Sequence, residues 1–144
     1  MLENQRANPS PAEEALASEL LRSAKTVAVV GISEKENRDS HRVAKYLKDH
    51  GYKIIPVNPK LQEVLGEPCY PDLKAVPDHI DVVDIFRSTD AIPGIVDEAI
   101  AVGAGSVWMQ LGLAHDEAAE KARKAGLAVV MNRCMKIEHA RLPG

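Results

Sequence analysis

Aromatic residues are scarce in this chain of 144 residues: one tryptophan, one phenylalanine and three tyrosines. So thin a supply argues against a stacking platform for single-stranded nucleic acid. The formal net charge of −3 argues against wholesale nucleic-acid binding, which shows as a strongly basic domain. Cysteine is also rare. Cys69 and Cys134 are too far apart for a disulfide framework and match no zinc-ligand spacing, which fits a reduced intracellular setting. No apolar run approaches ~18 residues, and the first eleven residues are polar with no apolar signal core. The expectation is a cytoplasmic protein with no membrane partner. Several motifs are missing as well. There is no Gly-x-Gly-x-x-Gly and no Gly-Lys-Ser/Thr after a glycine run. Gly31-Ile32-Ser33 is not a nucleophile elbow, and no His-x-x-x-His pair offers a metal site. No residue stands out as catalytic.

What is present is enough for one real core. Hydrophobic residues make up 45% of the chain, with no internal repeat and no interdomain linker. Residues 1–9 read as a flexible tail and 10–144 as a single domain. Ser10 suits an N-cap, Pro11 the first helical position and Glu13 the capping box. The helix that follows runs to about Ala24. Thr26 to Val30 is a short apolar, β-branched run. A helix around His41 to His50 stops at Gly51. Lys53 to Val57 is the second strand, halted by Asn58-Pro59. Residues 60–80 are mixed, with one helical turn near Leu73. Asp81 to Phe86 is the third strand, and Ile92, Ile95, Val96, Ala99 and Ile100 form a helical stripe after it. Ser106 to Met109, a helix from Asp116 to Ala125, Leu127 to Met131 and a short helix near Met135 to Arg141 complete the chain.

Strand and helix thus alternate five times, and the strands are continuous apolar runs with both faces buried. The fold class expected is α/β: a Rossmann-like, doubly wound, five-stranded parallel sheet with helices on both faces and right-handed crossovers. Numbering these strands 1 to 5 along the chain, the expected order is 3-2-1-4-5.

Ligands of such sheets sit beyond the strand C-termini, where the strand order reverses. Five loops are therefore candidates: Gly31–Ser40, Asn58–Lys60, Arg87–Ile92, Gln110–His115 and Asn132–Cys134. In the first, Gly31 opens backbone amides to a phosphate, the next helix N-terminus adds more, and Arg38, His41 and Arg42 supply charge. Its plain alternative is a tight strand exit beside a solvated basic face. The second loop places Lys60 where dinucleotide sites that hold a ribose diol carry an acid, so it suits a ribose phosphate. Coenzyme A and NADP both carry one; an ordinary Asn-Pro turn is the other reading. Phe86 either packs on a base or pantetheine arm or belongs to the core, and Asp90 reads as a helix cap as readily as a ligand contact. Gln110 ends a strand, so its amide can face the cleft, whereas Trp108 reads as a core anchor. Cys134 has two readings, a buried small residue or a thiol in the cleft.

At these loops the chain resembles the stand-alone CoA-binding domains, small relatives of the nucleotide-binding domain of the succinyl-CoA synthetase alpha subunit. The likeness is carried by Val29-Val30-Gly31-Ile32-Ser33, Ser40-His41-Arg42-Val43 with Tyr46-Leu47, and Pro56-Val57-Asn58-Pro59-Lys60. It continues through Gly66-Glu67-Pro68-Cys69-Tyr70, Asp84-Ile85-Phe86-Arg87, Val107-Trp108-Met109-Gln110-Leu111-Gly112 and Asn132-Arg133-Cys134-Met135-Lys136-Ile137-Glu138-His139. The resemblance implies CoA or an acyl-CoA bound across the switch point. Gly31, Ile32 and Ser33 would cradle its pyrophosphate, and Asn58, Pro59 and Lys60 would border the adenosine 3′-phosphate. Phe86, Arg87 and Ser88 would line the middle, with Gln110 near the pantetheine. It does not carry over ligase activity, because the synthetase's phosphorylated histidine lies in a further domain. Three functional readings follow. One is a non-catalytic CoA-binding module acting as a carrier, sensor or partner in acyl-CoA metabolism. The others are an NADP-dependent oxidoreductase on the same fold and a regulatory interaction domain with a vestigial cleft.

Overall fold

Short apolar runs form the parallel sheet expected of them. The structure is a computed structural model that describes residues 11–143; the tail at 1–9 and the Ser10 cap lie outside the described residues. In chain order the strands are β1 (Thr26–Val30), β2 (Lys53–Val57), β3 (Glu63–Val64), β4 (Glu67–Pro68), β5 (Val82–Ile85), β6 (Ser106–Met109) and β7 (Ala128–Val130). The helices are α1 (Pro11–Ser23), α2 (Asp39–Asp49), α3 (Ile92–Ala101), α4 (Asp116–Lys124) and α5 (Met135–Ala140). Short 3₁₀ turns at Leu73–Ala75 and Thr89–Ala91 fill the loops.

Alternate residues of each strand point to opposite faces, and both faces are covered. Ala28, Val30, Val83, Ile85, Val107 and Met109 pack under α3 and α4, which contribute Val96, Ala99, Ala119 and Ala122. On the other side Val27, Val29, Val82 and Trp108 meet Leu21 of α1, Val43 and Leu47 of α2 and Met135 of α5. Tyr52 ties the second layer together by donating its hydroxyl hydrogen to the Leu21 carbonyl.

The sheet order is β2-β1-β5-β6-β7, all parallel. Numbered as five consecutive strands this is 2-1-3-4-5, which corrects the expected 3-2-1-4-5. The reason lies in Pro56. Proline has no N–H to donate, so within a sheet it belongs on an edge strand. The Pro56 carbonyl points away from β1 and accepts from the Tyr70 amide at 3.0 Å, so the missing N–H faces outward too. The third strand therefore lies on the other side of β1, where all four of its residues are buried. Asp81 fixes its start, its carboxylate accepting from the amides of Lys25 at 2.8 Å and Thr26 at 3.0 Å.

The segment 60–80 also holds a small hairpin that the sequence reading did not contain. Leu65 and Gly66 have φ of 55° and 76°, the left-handed pair that a tight two-residue hairpin requires. Lys48 of α2 holds it, donating to the Leu65 carbonyl at 2.6 Å and pairing with Glu67 at 3.1 Å.

Asp84 sits in the middle of β5, beside Val29 of β1 and Trp108 of β6. It is fully buried and neither carboxylate oxygen has a hydrogen-bond partner. Burial pushes its carboxyl well above the ordinary carboxylate range, which favours the neutral acid. The unfolded chain ionises near the ordinary value of about 3.9. Stability is therefore complete below that value and falls as pH rises toward the folded value, because only unfolding releases the proton. Asp84→Asn removes this titration. The stability difference, variant minus parent, is expected to grow from pH 4 upward, by at most about 1.4 kcal/mol per pH unit. Denaturant titrations from pH 4 to 8 check it; a difference that stays flat would mean an ionised, paired Asp84.

Candidate functional site

The loop after β1 is built by its own side chains. The Ser33 amide donates to Ser40 Oγ at 2.9 Å, and the Lys35 amide to Ser33 Oγ at 3.0 Å. His41 is buried, and its Nδ1 donates to the Ser33 carbonyl at 3.0 Å. Arg38 is the exposed N-cap residue of α2. Ile32 is wholly buried in the core, so only its backbone is presented to the loop. Asn58 joins this loop to the next: its side-chain amide donates to the Ile32 carbonyl at 2.9 Å, and its Oδ1 accepts from the Lys60 amide at 2.9 Å. Pro59 and Lys60 are exposed at the exit of β2.

Gly31 lies where β1 and β5 part. Its φ is +88°, and a Cβ placed there would come within 2.7 Å of the Phe86 carbonyl oxygen and of Arg87 Cδ. The glycine thus admits the backbone and side chain of the β5 exit.

Beyond the C-terminal ends of β5, β6 and β7 opens a cavity of about 550 Å³. Its polar wall carries Asp39 and Arg42 from α2, Arg87, Gln110 and Lys136; its apolar wall carries Val43, Phe86, Leu111, Leu113 and Ile137, with Cys134 beside them. Arg42 is paired with Asp39 at 2.6 Å, whereas Arg87 has no ion pair among the described residues. Lys136 lies 5.6 Å from the centre of the Tyr46 ring.

The structure therefore brings four of the sequence-proposed residues to one cavity: Arg42, Phe86, Arg87 and Gln110. Gly31, Ile32, Ser33, Arg38, His41, Asn58, Pro59, Lys60 and Ser88 do not line it. Ser88 is the exposed N-cap of the turn at Thr89–Ala91. Gln110 is buried, and its carbonyl oxygen accepts from the Met135 amide at 3.2 Å, so it positions α5 as well as lining the cavity. The wall residues absent from the sequence proposals are Asp39, Val43, Leu111, Leu113, Lys136 and Ile137; Cys134, partly buried, takes the cleft reading of its two. Leu111, Leu113 and Cys134 fall in loops that the strand-exit topology marks, those after β6 and β7, whereas Lys136 and Ile137 lie beyond them on α5.

The β7 exit behind this wall is held by hydrogen bonds of its own. Buried Arg133 pairs with Glu138 at 3.0 Å, and its carbonyl accepts from the Trp108 indole N–H at 2.8 Å. The other terminal guanidinium nitrogen of Arg133, Nη2, is buried without a hydrogen-bond partner. Asn132, with φ of 58°, accepts from the Gly112 amide at 2.7 Å through its side chain. Where α5 packs against α2, His139 Nδ1 is hydrogen-bonded to the Tyr46 hydroxyl at 2.9 Å, and burial followed by the neighbouring His50 pulls its pKa down.

Together these features form a cleft with unpaired and paired cations next to apolar walls, able to hold a long ligand that is anionic in one part and apolar in another. Residues 25–140 match the family described as CoA binding domain. The chain belongs to that family. This CoA-binding domain is 41% identical over 133 residues to the uncharacterized protein YneT of Bacillus subtilis, covering 92% of this chain and 96% of that protein. It is 29% identical over 121 residues to acetate–CoA ligase [ADP-forming] I of Archaeoglobus fulgidus, covering 77% of this chain but only 18% of the ligase. A solved hypothetical protein from Pyrococcus horikoshii OT3 superposes with a TM-score of 0.89 at 44% identity, covering 95% of this chain and 99% of that one. Among the described residues of this CoA-binding domain, no helix is long and apolar enough to cross a membrane.

Two outcomes follow from the site. Gly31→Ala is expected to lower ligand-free stability by at least about 1–2 kcal/mol, because a side chain must adopt left-handed φ and displace the Phe86 carbonyl. Chemical denaturation measures it, and an unchanged midpoint would mean that the two strand exits do not press together. The two thiols should also differ. Cys69 Sγ lies 3.5 Å from the Asn58 carbonyl and burial pushes its thiol up, so iodoacetamide at pH 8 should alkylate Cys134 roughly several-fold faster. Peptide mass spectrometry over a time course gives the two rates, and faster labelling of Cys69 would contradict the placement.

Proposed function

We propose that this chain is a CoA-binding module, non-catalytic by itself, that holds CoA or an acyl-CoA across the C-terminal edge of its sheet. The observation that carries the reading is the cavity at β5, β6 and β7, where Arg42, Arg87 and Lys136 stand among apolar side chains. Phosphates require the cations, and a pantetheine arm suits the apolar walls. The family match and the partial likeness to an ADP-forming acetate–CoA ligase support the same ligand. In this reading Lys60, exposed at the exit of the edge strand β2, meets the adenosine 3′-phosphate. The pyrophosphate lies between the Gly31–Ser33 backbone and the α2 N-terminus, with Arg38 and Arg42 adding charge and His41 holding the loop. Asn58 and Pro59 shape the adenosine end, and Phe86, Arg87 and Ser88 flank the middle. The role that fits a module matching under a fifth of a ligase is a carrier, sensor or partner subunit.

Lys60 provides the test. Lys60→Ala is expected to weaken CoA binding by about 1–2 kcal/mol, roughly five- to thirtyfold, while leaving dephospho-CoA nearly unchanged. The loss should shrink with added salt, since exposed charges are screened. Titration calorimetry of both ligands against both proteins isolates the pair energy. Equal losses for both ligands would move the 3′-phosphate away from Lys60. Stronger stabilisation by NADP than by CoA in thermal melts would replace the reading with the oxidoreductase one.

A further inference from the structure

Leu111 and Ile137 are the exposed large hydrophobic residues among those described, with 62% and 43% of their surface open to solvent. Single exposed leucines are ordinary, but these two come from different elements and line the same cavity. Leu111 follows β6, and Ile137 stands on α5 after β7.

Their supports are rigid. The Gln110 side chain accepts from the Met135 amide at 3.2 Å, and the Asn132 side chain from the Gly112 amide at 2.7 Å. The Asn132 amide in turn donates to the Leu113 carbonyl at 2.9 Å. Three hydrogen bonds thus lock the Leu111 loop to the segment leading into α5. A lip held in place before any ligand arrives costs little ordering when something apolar covers it.

Strand order says which part of the ligand arrives there. Lys60 leaves β2, and Leu111 leaves β6, three strands away. Neighbouring strands are about 4.8 Å apart, which puts about 14 Å between the two exits. A ligand whose adenosine phosphate meets Lys60 and whose pyrophosphate lies over β1 therefore presents its thiol end to the β6 and β7 exits. Resting on the CoA reading, we propose that the site selects acyl-CoA with an apolar acyl chain of several carbons, gripped by Leu111 and Ile137.

The test compares CoA, hexanoyl-CoA and succinyl-CoA by titration calorimetry, with the parent chain and with the double variant Leu111→Ser/Ile137→Ser. Both side chains are exposed, so the variant is expected to fold, which circular dichroism checks. A fully buried methylene contributes about fourfold in affinity and a half-covered one about twofold, so with its five alkyl carbons half-covered hexanoyl-CoA should bind the parent about thirtyfold tighter than CoA. In the double variant that ratio should fall toward one; the ratio, and not the affinity for CoA, is the readout. Equal binding of CoA and hexanoyl-CoA by the parent overturns the proposal while leaving the CoA reading intact. So does tighter binding of succinyl-CoA than hexanoyl-CoA, which would assign that end of the site to Lys136. A concentration-dependent dimer in sedimentation that the double variant abolishes would give the lip to a second copy of the chain and equally overturn it. Failure of all three ligands to bind removes the CoA reading itself.

Discussion

The Phe86 carbonyl oxygen lies 2.7 Å from the point where a Gly31 side chain would begin, and that approach exists only because β5 runs parallel beside β1. A glycine at the exit of one strand lets the exit of its neighbour close over it. Arg87 is thereby drawn to the switch point, with Phe86 beside it, and α2 is left to approach from the other side with Arg42 and Val43. Any residue with a Cβ at position 31 would force these pieces apart. The cavity is a consequence of that one contact more than of any single polar residue lining it.

Many polar groups near the cleft are spent on holding backbone. Ser40 and His41 both bind the Ser33 backbone, and Asn58 bridges the first two loops. Gln110 and Asn132 do the same between the β6 exit and the β7 exit. The charges that remain outermost are Arg38, Lys60, Arg87 and Lys136, each exposed. The division is physically sensible: short polar side chains reach neighbouring backbone and fix it, while long cations extend into solvent where a phosphate can find them.

The strands and helices were legible because each short apolar run is closed by glycine, proline or a polar cluster. Ser106–Met109 agrees residue for residue, and Lys53–Val57 does too. The strand order was not read correctly, although Pro56 carried the information: a proline inside an apolar run marks an edge, and an edge β2 leaves β5 to pair on the far side of β1. The hairpin at Val64–Glu67 escaped notice because Leu-Gly is a weak turn signal beside the usual Asn-Gly. Among the residues that line the cavity, Arg42, Phe86, Arg87 and Gln110 were legible from charge and position. Lys136 and Ile137 were marked by the family resemblance alone, since a short terminal helix carries no charge or spacing signal of its own and only tertiary packing brings it to the sheet edge. Asp84 was read as part of a motif; its burial without a partner is visible only once β5 is seen to be central.

Trp108 gives the site an optical handle. It is the sole tryptophan, it is wholly buried, and its indole N–H is bonded to the Arg133 carbonyl, one residue before cavity-lining Cys134. Indole emission depends on the polarity and dipoles around the ring. A shift of the Arg133–Cys134 segment by a fraction of an ångström would therefore register in the intrinsic fluorescence, with no label and no second tryptophan to obscure it. The fold has placed its single chromophore of this kind one hydrogen bond and one residue from the wall a ligand would press.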